Sequence, residues 1–301
     1  MITDRLIDGI IAMQNPTCVG LDTLFDYLPD EMKSGVKTFD GVAERVFEFN
    51  KKVIDSVYDI VPSVKVQIAY YEMYGVAGMK AYYETLKYAA EKGLVVIADA
   101  KRNDIGSTAA CYAKTFLGET QVNEITDKAF PSDYVTVNGY LGTDGIAPFV
   151  DECQKHDKGI FVLVKTSNPS GAEIQNMVLD NGTPMYEYVG GLVEKWGEST
   201  IGKYGYSAVG AVVGATHPTE AARLREVLPH TFFLIPGYGA QGGNAEMLKS
   251  CFGKNGLGGV VNNSRGILCA YNKNGGTYYE AARKAAIVMQ QDLSSVIGKM
   301  G

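Results

Sequence analysis

The stretch LVVIADAKRNDIGST, residues 94–108, is an apolar run that ends in charged and polar residues. Its first half is rich in β-branched side chains and has no polar face, so it predicts a strand buried on both sides of a parallel sheet. Its second half places Asp99, Lys101 and Asp104 at the carboxyl end of that strand. Because parallel α/β folds bind ligands at this end of their strands, the stretch predicts a strand and part of a functional site together.

Seven further runs of the same kind occur along the chain. They are CVGLD (18–22), SVKVQIA (63–69), YVTVNGY (134–140), GIFVLVKTS (159–167), AVGAVVGAT (208–216), TFFLIPGYG (231–239) and GGVVNNSRG (258–266). Each is short and rich in branched apolar side chains, which is typical of a strand in a buried parallel sheet. The chain is therefore expected to contain eight parallel strands.

Helical stretches separate these runs. In the first, Val46, Phe49, Val53 and Val57 share one helix face, and Asp40 stands where an N-cap is expected. Further helices are predicted over residues 81–91, 108–116, 145–154, 186–202, 218–227, 245–252 and 278–297. The longer connections, 23–38, 118–133 and 168–184, are interpreted as insertions between a strand and a helix.

Eight alternations of strand and helix fit either an α/β barrel or a large doubly wound sheet. A doubly wound sheet concentrates its chemistry at one switch point, whereas a barrel draws residues from many strand ends onto one face. Nearly every run in this chain ends in a polar or glycine-rich motif. The pattern predicts a (β/α)8 TIM barrel of the α/β class, formed as one domain by residues 1–301.

The composition indicates a globular protein without a surface for nucleic acid. Hydrophobic residues make up 46% of the 301, charged residues 21%, and the net charge is −6. A nucleic-acid surface needs a basic stripe, whereas lysine and arginine are scattered here. Residues 1–16 predict an amphipathic helix rather than a signal peptide, and no apolar run reaches membrane-spanning length. We expect a cytoplasmic protein that binds neither nucleic acid nor membranes.

The cysteines and histidines show no metal-binding or disulfide pattern. The five cysteines are odd in number and form no CxxC pair, so neither a zinc site nor a disulfide framework is expected. We interpret them as buried thiols in a reducing compartment. His156, His217 and His230 lack the spacing of metal ligands, and none is assigned to catalysis.

The strongest candidate site is a group of charged residues in strands two and three. Asp99 and Lys101 lie two residues apart, which places them on one face of a regular strand, and Lys65 lies inside the preceding apolar run. Buried charges are costly unless they are paired, so we expect these residues and Asp104 to form an alternating network. A salt-bridge cluster without chemistry is the alternative, but such clusters at strand ends are typical of functional sites.

A second candidate, an anion site, follows strands seven and eight. Residues 236–243, PGYGAQGG, follow one strand and residues 262–266, NNSRG, end the other. Loops at these positions are the usual phosphate site of such barrels, where glycines admit the backbone and Arg265 offers a fork of donors. Either motif alone is interpreted as an ordinary turn, but their joint placement favours a phosphate site.

Two single residues are weaker candidates. Asp22 ends the first strand and is suited to accept hydrogen bonds from sugar hydroxyls, although an aspartate here also caps helices. Ser167, in KTSNPSG after strand five, is suited to bind the edge of a base, although such clusters are usually turns.

Together these motifs resemble the orotidine 5′-phosphate decarboxylase family. All eight strand ends can be placed in order, and DAKRNDIGST and PGYGAQGG are most similar to the longer bacterial branch. The resemblance implies decarboxylation of orotidine 5′-monophosphate to uridine 5′-monophosphate (UMP) and CO2. This is the last step of de novo UMP synthesis, and the resemblance implies that it needs no metal or organic cofactor.

The resemblance also implies roles for individual residues. Lys65, Asp99 and Lys101 match the catalytic network, in which Lys101 protonates the C6 carbanion. Asp104 matches a catalytic aspartate supplied by the partner subunit of a homodimer with shared active sites, and Ile105 and Thr108 lie beside it.

The remaining matches concern substrate binding. Asp22 matches a ribose ligand, Ser167 a pyrimidine ligand, and Gln241 and Arg265 the phosphate ligands. Pro236 and Ser264 are the neighbouring candidates, and Ser264 stands where the shorter branch has a glycine. Asn138, at the end of strand four, has no matched counterpart.

Two alternatives belong to other functional classes. Magnesium-dependent sugar-phosphate decarboxylases and aldolases of the same barrel group share the DxKxxD string and the phosphate arginine. They place a carboxylate in strand two to help bind Mg²⁺, which prefers oxygen ligands, whereas this chain has Lys65. The other alternative is a non-catalytic nucleotide-binding barrel, but every charged group needed for chemistry is present.

Overall fold

All eight predicted runs form parallel strands that pair in sequence order and close into a barrel. The computed structural model describes residues 1–239 and 243–301. Its barrel strands are β1 Thr17–Gly20, β2 Ser63–Gln67, β3 Val95–Arg102, β4 Tyr134–Val137, β5 Gly159–Lys165, β6 Val209–Val213, β7 Phe233–Ile235 and β8 Gly259–Asn263. The last strand pairs with the first, Thr17 lying opposite Val261. The predicted (β/α)8 barrel is confirmed.

Helices connect the strands and cover the outside of the barrel. The α-helices span Ile2–Met13, Asp30–Lys33, Phe39–Val57, Ala69–Glu72, Gly75–Glu91, Gly106–Leu117, Thr143–His156, Ala172–Gln175, Met185–Gly197, Pro218–Val227, Ala245–Leu248, Arg265–Leu268, Tyr271–Asn274 and Tyr278–Ile297. Most predicted helices are found within a few residues of their expected bounds. The helix predicted to start at residue 81 begins at Gly75. Its first turns were missed because they do not alternate clearly between polar and apolar residues.

Local capping differs from the prediction at one helix. Thr38, not Asp40, is the N-cap of Phe39–Val57, and its hydroxyl accepts a hydrogen bond from the Gly41 backbone N–H at 3.1 Å. Asp40 lies in the first turn instead. A carboxylate there interacts favourably with the positive end of the helix dipole.

The three long connections contain short elements of their own. Residues 118–133 include an exposed antiparallel hairpin of Thr120–Val122 and Ile125–Asp127. Each of the other two connections contains one 3-10 turn and one short helix, namely Phe25–Tyr27 with Asp30–Lys33 and Pro169–Gly171 with Ala172–Gln175.

The core leaves the carboxyl end of the barrel available for polar residues. One apolar cluster fills the space between the strands and the outer helices. A second fills the amino end of the barrel, where Leu6, Ile7 and Ile10 of the first helix are buried. With its amino end closed by apolar packing, the barrel opens at the end where the sequence placed its polar motifs.

Two further predictions concern the cysteines and membranes. All five cysteines are free thiols, and Cys111 is exposed although a buried position was expected. It lies on the helix Gly106–Leu117, where only one side of the helix packs on the barrel. In the parts of the chain that the structure describes, no helix is long and apolar enough to cross a membrane.

Candidate active site

A cavity of about 460 Å³ lies at the carboxyl ends of the barrel strands. Its size is in the usual range for small-molecule sites. Polar residues of β2, β3, β4 and β8 line it, together with Asp22 from the turn after β1. The apolar side chains of Leu163, Val212 and Leu234 also line it. The cavity therefore offers a charged region and an apolar region to one ligand.

The charged region is an alternating chain of lysines and aspartates. The Lys65 Nζ donates to Asp99 Oδ2 at 2.8 Å and to Asp22 Oδ1 at 3.1 Å. The Lys101 Nζ donates to Asp99 Oδ1 at 2.7 Å. Lys65 and Asp99 are almost completely buried, whereas 46% of the Lys101 side chain is exposed. Of the two lysines in this network, Lys101 is thus the one more accessible to a ligand in the cavity.

The network keeps its buried members charged. Burial alone raises the pKa of Asp99, but the positive charges of Lys65 and Lys101 outweigh burial and hold that pKa well below its ordinary value. Burial lowers the pKa of Lys65, but the carboxylates of Asp22 and Asp99 outweigh it and raise that pKa. Lys65 is therefore an ammonium and Asp99 a carboxylate at neutral pH.

The end of β3 is irregular at the residue that faces the ligand. Lys101 has a φ of +48°, in the left-handed region that side chains other than glycine rarely adopt. The pairing of β3 with β4 shifts register between Ala98 and Arg102. Lys101 and Asp99 do contact each other, as predicted. The predicted cause, regular alternation along the strand, was wrong, because the strand is bulged at this point.

Asp22 is held from its other side by Ser264. The Ser264 hydroxyl donates to Asp22 Oδ2 at 2.8 Å, and the Asn262 amide donates to Ser264 Oγ at 3.3 Å. This approach requires a glycine at position 20, because a Cβ there would lie 1.9 Å from the Ser264 oxygen. Asp22 is thus a further carboxylate of the network, beside Asp99.

Residues of the predicted anion site line the same cavity. Pro236 lines it, and so does Arg265, which begins the short helix after β8. After β7, the Gly239 backbone N–H donates to the Gly243 carbonyl at 2.7 Å. Gln241 lies outside the described residues.

The other predicted residues divide into two groups. Ser167 lines the cavity, as expected from its position after β5. Asp104, Ile105 and Thr108 do not line the cavity of their own chain. The Asp104 carboxylate accepts a hydrogen bond from the Ile105 backbone N–H at 2.8 Å, and 54% of Ile105 is exposed.

Several cavity residues were missed by sequence reasoning. Thr136 is the most deeply buried of them, with 1% exposed. It was detectable as the one threonine in the otherwise apolar and aromatic strand YVTV, at 134–137. Also missed were Tyr27, Gln67 and Tyr70. The predicted motifs after β5, β7 and β8 contain the remaining cavity residues, to which no separate role was assigned: Thr166, Asn168, Tyr238, Asn262 and Asn263.

The structure describes no cluster of metal ligands. Within residues 1–239 and 243–301, no group of three or more histidine, cysteine, aspartate or glutamate side chains could hold a metal ion. Asp22 and Asp99, the carboxylates at the cavity, are instead bridged by the Lys65 ammonium.

A closed barrel with a lysine–aspartate network at its strand ends defines the class of (β/α)8-barrel enzymes. The chain belongs to the orotidine 5′-phosphate decarboxylase / HUMPS family, whose sequence profile matches residues 17–275. The resemblance seen in the motifs is confirmed.

Individual relatives match over the full length. A curated orotidine 5′-phosphate decarboxylase from Clostridium perfringens is 44% identical over 305 residues, covering 99% of this chain and 100% of that protein. One from Clostridium acetobutylicum is 44% identical over 301 residues, with 99% and 100% covered. The solved structure of Leishmania donovani OMP decarboxylase has a TM-score of 0.74 at 27% identity and covers 98% of both chains.

Proposed function

We propose that this chain decarboxylates orotidine 5′-monophosphate to UMP and CO2 in pyrimidine biosynthesis, with residues 1–301 acting as one domain. The observation that carries the proposal is the Lys65–Asp99–Lys101 network at the barrel cavity, with Nζ–Oδ distances of 2.7 and 2.8 Å. The names of the full-length Clostridium relatives support the same reaction.

The cavity residues, together with the residues matched to the family, suggest how the nucleotide is oriented. Arg265 and Gln241 bind the 5′-phosphate, to which an arginine offers two parallel hydrogen bonds. Asp22 accepts hydrogen bonds from the ribose hydroxyls, and Ser167 binds the pyrimidine edge. This orientation places the reacting part of the base towards Lys101.

The proposed chemistry depends on charge. When the bond between C6 and the carboxylate breaks, CO2 departs and the electron pair remains on C6. The Lys101 ammonium stabilises that developing charge and then gives its proton to C6, which leaves a neutral amine that regains a proton from solvent. No other reactant is consumed.

Asp99 contributes by disfavouring the bound substrate. Its carboxylate is charged and faces the substrate carboxylate, and the repulsion between them is relieved as CO2 forms. Lys65 keeps Asp99 ionised and in place, because it donates to both Asp99 and Asp22. Binding of the remote phosphate offsets the cost of placing like charges together.

Asp104 completes the proposed site from a second copy of the chain. Exposed apolar side chains lie next to Asp104 in sequence and after the neighbouring strand β4. They are Ile105, which is 54% exposed, and Tyr140 and Leu141, which are 83% and 44% exposed. A two-fold homodimer that covers this surface would carry each Asp104 to the partner's cavity.

We also propose a cytoplasmic location, which the free thiols support.

The magnesium-dependent alternative is disfavoured by the same network. A Mg²⁺ ion needs oxygen ligands in octahedral geometry. The Lys65 ammonium, at 2.8 and 3.1 Å from Asp99 and Asp22, fills the position between the carboxylates that such an ion would use.

The test is to mix the purified protein with orotidine 5′-monophosphate and follow the ultraviolet change, with and without EDTA. We expect turnover at the same rate in both samples. Turnover that EDTA abolishes would support the magnesium-dependent class. Binding without turnover would support a nucleotide-binding barrel, and either result would refute the proposal.

A further inference from the structure

We infer that Thr136 is a positioning residue for the proposed decarboxylation, which fixes both the Asp99 carboxylate and the backbone of Lys101. Thr136 lies in β4, next to the irregular end of β3, and 1% of it is exposed. Nothing in the chemistry above uses its hydroxyl directly. Its importance comes from three hydrogen bonds to the residues that do the chemistry.

The three bonds meet at one oxygen atom. Thr136 Oγ1 donates to Asp99 Oδ1 at 2.8 Å. The same oxygen accepts hydrogen bonds from the backbone N–H groups of Ala100 at 3.0 Å and Lys101 at 2.9 Å. A hydroxyl has one donor and two acceptor lone pairs, so this group has no remaining hydrogen-bonding capacity.

The need for these bonds follows from the bulge in β3. Ala98 pairs with Val135 and Arg102 pairs with Val137, so three residues of β3 face Thr136 alone. Two of their N–H groups have turned away from the regular ladder, and buried N–H groups without an acceptor are costly. The Thr136 hydroxyl supplies the acceptor for both.

The bulge in turn determines where Lys101 points. Its φ of +48° is a strained conformation that persists only when surrounding contacts enforce it. The N–H bond to Thr136 is such a contact, and it acts on the residue whose Nζ meets Asp99 at 2.7 Å. One hydroxyl thus aligns the proposed proton donor with the carboxylate beside it.

The Thr136 hydroxyl also fixes the orientation of the Asp99 carboxylate. Its Oδ1 accepts from both Thr136 and Lys101, while its Oδ2 accepts from Lys65. Without the hydroxyl, the carboxylate can rotate about its side-chain bonds and the Lys101 ammonium can follow it. A displacement of this kind reduces the rate more than the affinity, because substrate binding relies on other residues.

The experiment compares Thr136→Val, which removes the hydroxyl at nearly constant volume, with Thr136→Ser, which keeps it. The matched control is Thr17→Val. Thr17 is also a fully buried strand residue, but its hydroxyl has no hydrogen-bond partner among the described residues. Each protein is assayed for kcat and KM with orotidine 5′-monophosphate, and backbone amide exchange at Ala100 and Lys101 is measured by residue-resolved hydrogen–deuterium exchange.

We expect Thr136→Val to lower kcat about 10- to 100-fold, as for loss of a hydrogen bond to a charged group, with a KM change below about threefold. Exchange at the two amides should become faster. Thr136→Ser should recover most of the kcat and the slow exchange, and Thr17→Val should match the wild type in both measurements.

Two results would overturn the inference. One is a kcat for Thr136→Val within about twofold of the wild type; the other is an equal loss in the serine variant, which would show that the methyl group and packing matter instead. Failure of the proposed function is distinguishable, because the wild-type protein itself would then show no turnover. Amide exchange would still decide whether Thr136 holds the β3 bulge.

Discussion

Replacement of Lys65 by methionine tests the charge network through stability as well as activity. Methionine has a similar length and no charge, so Lys65→Met removes the ammonium that lies 2.8 Å from Asp99 and 3.1 Å from Asp22. Lys65 and Asp99 are almost completely buried. Removing one partner of a buried pair leaves an uncompensated charge, which costs about 3–5 kcal/mol. We expect the free energy of unfolding to fall by about that amount at pH 7.

The loss should depend on pH in a defined direction. The folded-state pKa of Asp99 is lowered, so its contribution to stability is present above the unfolded value of about 3.9 and is lost as pH falls through the folded value. The folded-state pKa of Lys65 is raised, so its contribution is fully present below the unfolded value of about 10.4. The difference between wild type and Lys65→Met should therefore be constant from about pH 5 to 9 and smaller below about pH 4.

The assay is equilibrium urea unfolding followed by circular dichroism at pH 7 and at pH 3.5, the latter being about half a unit below the unfolded aspartate pKa. Lys203→Met is the matched control, because Lys203 pairs with Asp8 on the surface and 58% of its side chain is exposed. The control should change little, since exposed pairs are screened by solvent. A loss for Lys65→Met below about 1 kcal/mol at pH 7, or one equal at both pH values, would refute the reasoning.

Three further predictions concern the reaction. Lys101→Ala should remain folded by circular dichroism but lose several orders of magnitude in kcat, because the cation at C6 is gone; activity within about tenfold of wild type would contradict its role. Arg265→Ala should weaken UMP binding by about 2–3 kcal/mol in calorimetry and leave uridine binding nearly unchanged; equal losses would make the arginine structural. Asp104→Ala and Lys101→Ala should each be nearly inactive, but co-refolded in equal amounts they should recover about a quarter of wild-type activity. Confirmed subunit exchange without recovery would assign Asp104 to its own chain's site.

The barrel was predictable because its strands carry a strong local signal. Runs such as GIFVLVKTS form strands almost where they were expected, since a parallel strand buried on both faces must be apolar throughout. Lys65 and Asp99 were predictable as partners for the same reason, because a charge within such a run requires a countercharge.

The finer geometry was not predictable because it depends on contacts between distant segments. The contacts of Asp22 with Lys65 and Ser264 form because β1 pairs with both β2 and β8. The Ser264 hydroxyl, 242 positions away in sequence, thereby lies 2.8 Å from Asp22 Oδ2. The β3 bulge breaks the alternation on which strand patterns are read, so Thr136 gave no local signal of its contacts. The hairpin in 118–133 is exposed on every residue of both strands and lacks an alternating apolar face.

The most direct test of the proposed site is a crystal structure of the protein with UMP bound. We expect the 5′-phosphate to contact Arg265, the ribose hydroxyls to contact Asp22, and the pyrimidine edge to contact Ser167. C6 should lie within about 3.5 Å of Lys101 Nζ, the distance needed for proton transfer. UMP bound away from this cavity, or bound in it with C6 facing away from Lys101, would contradict the account.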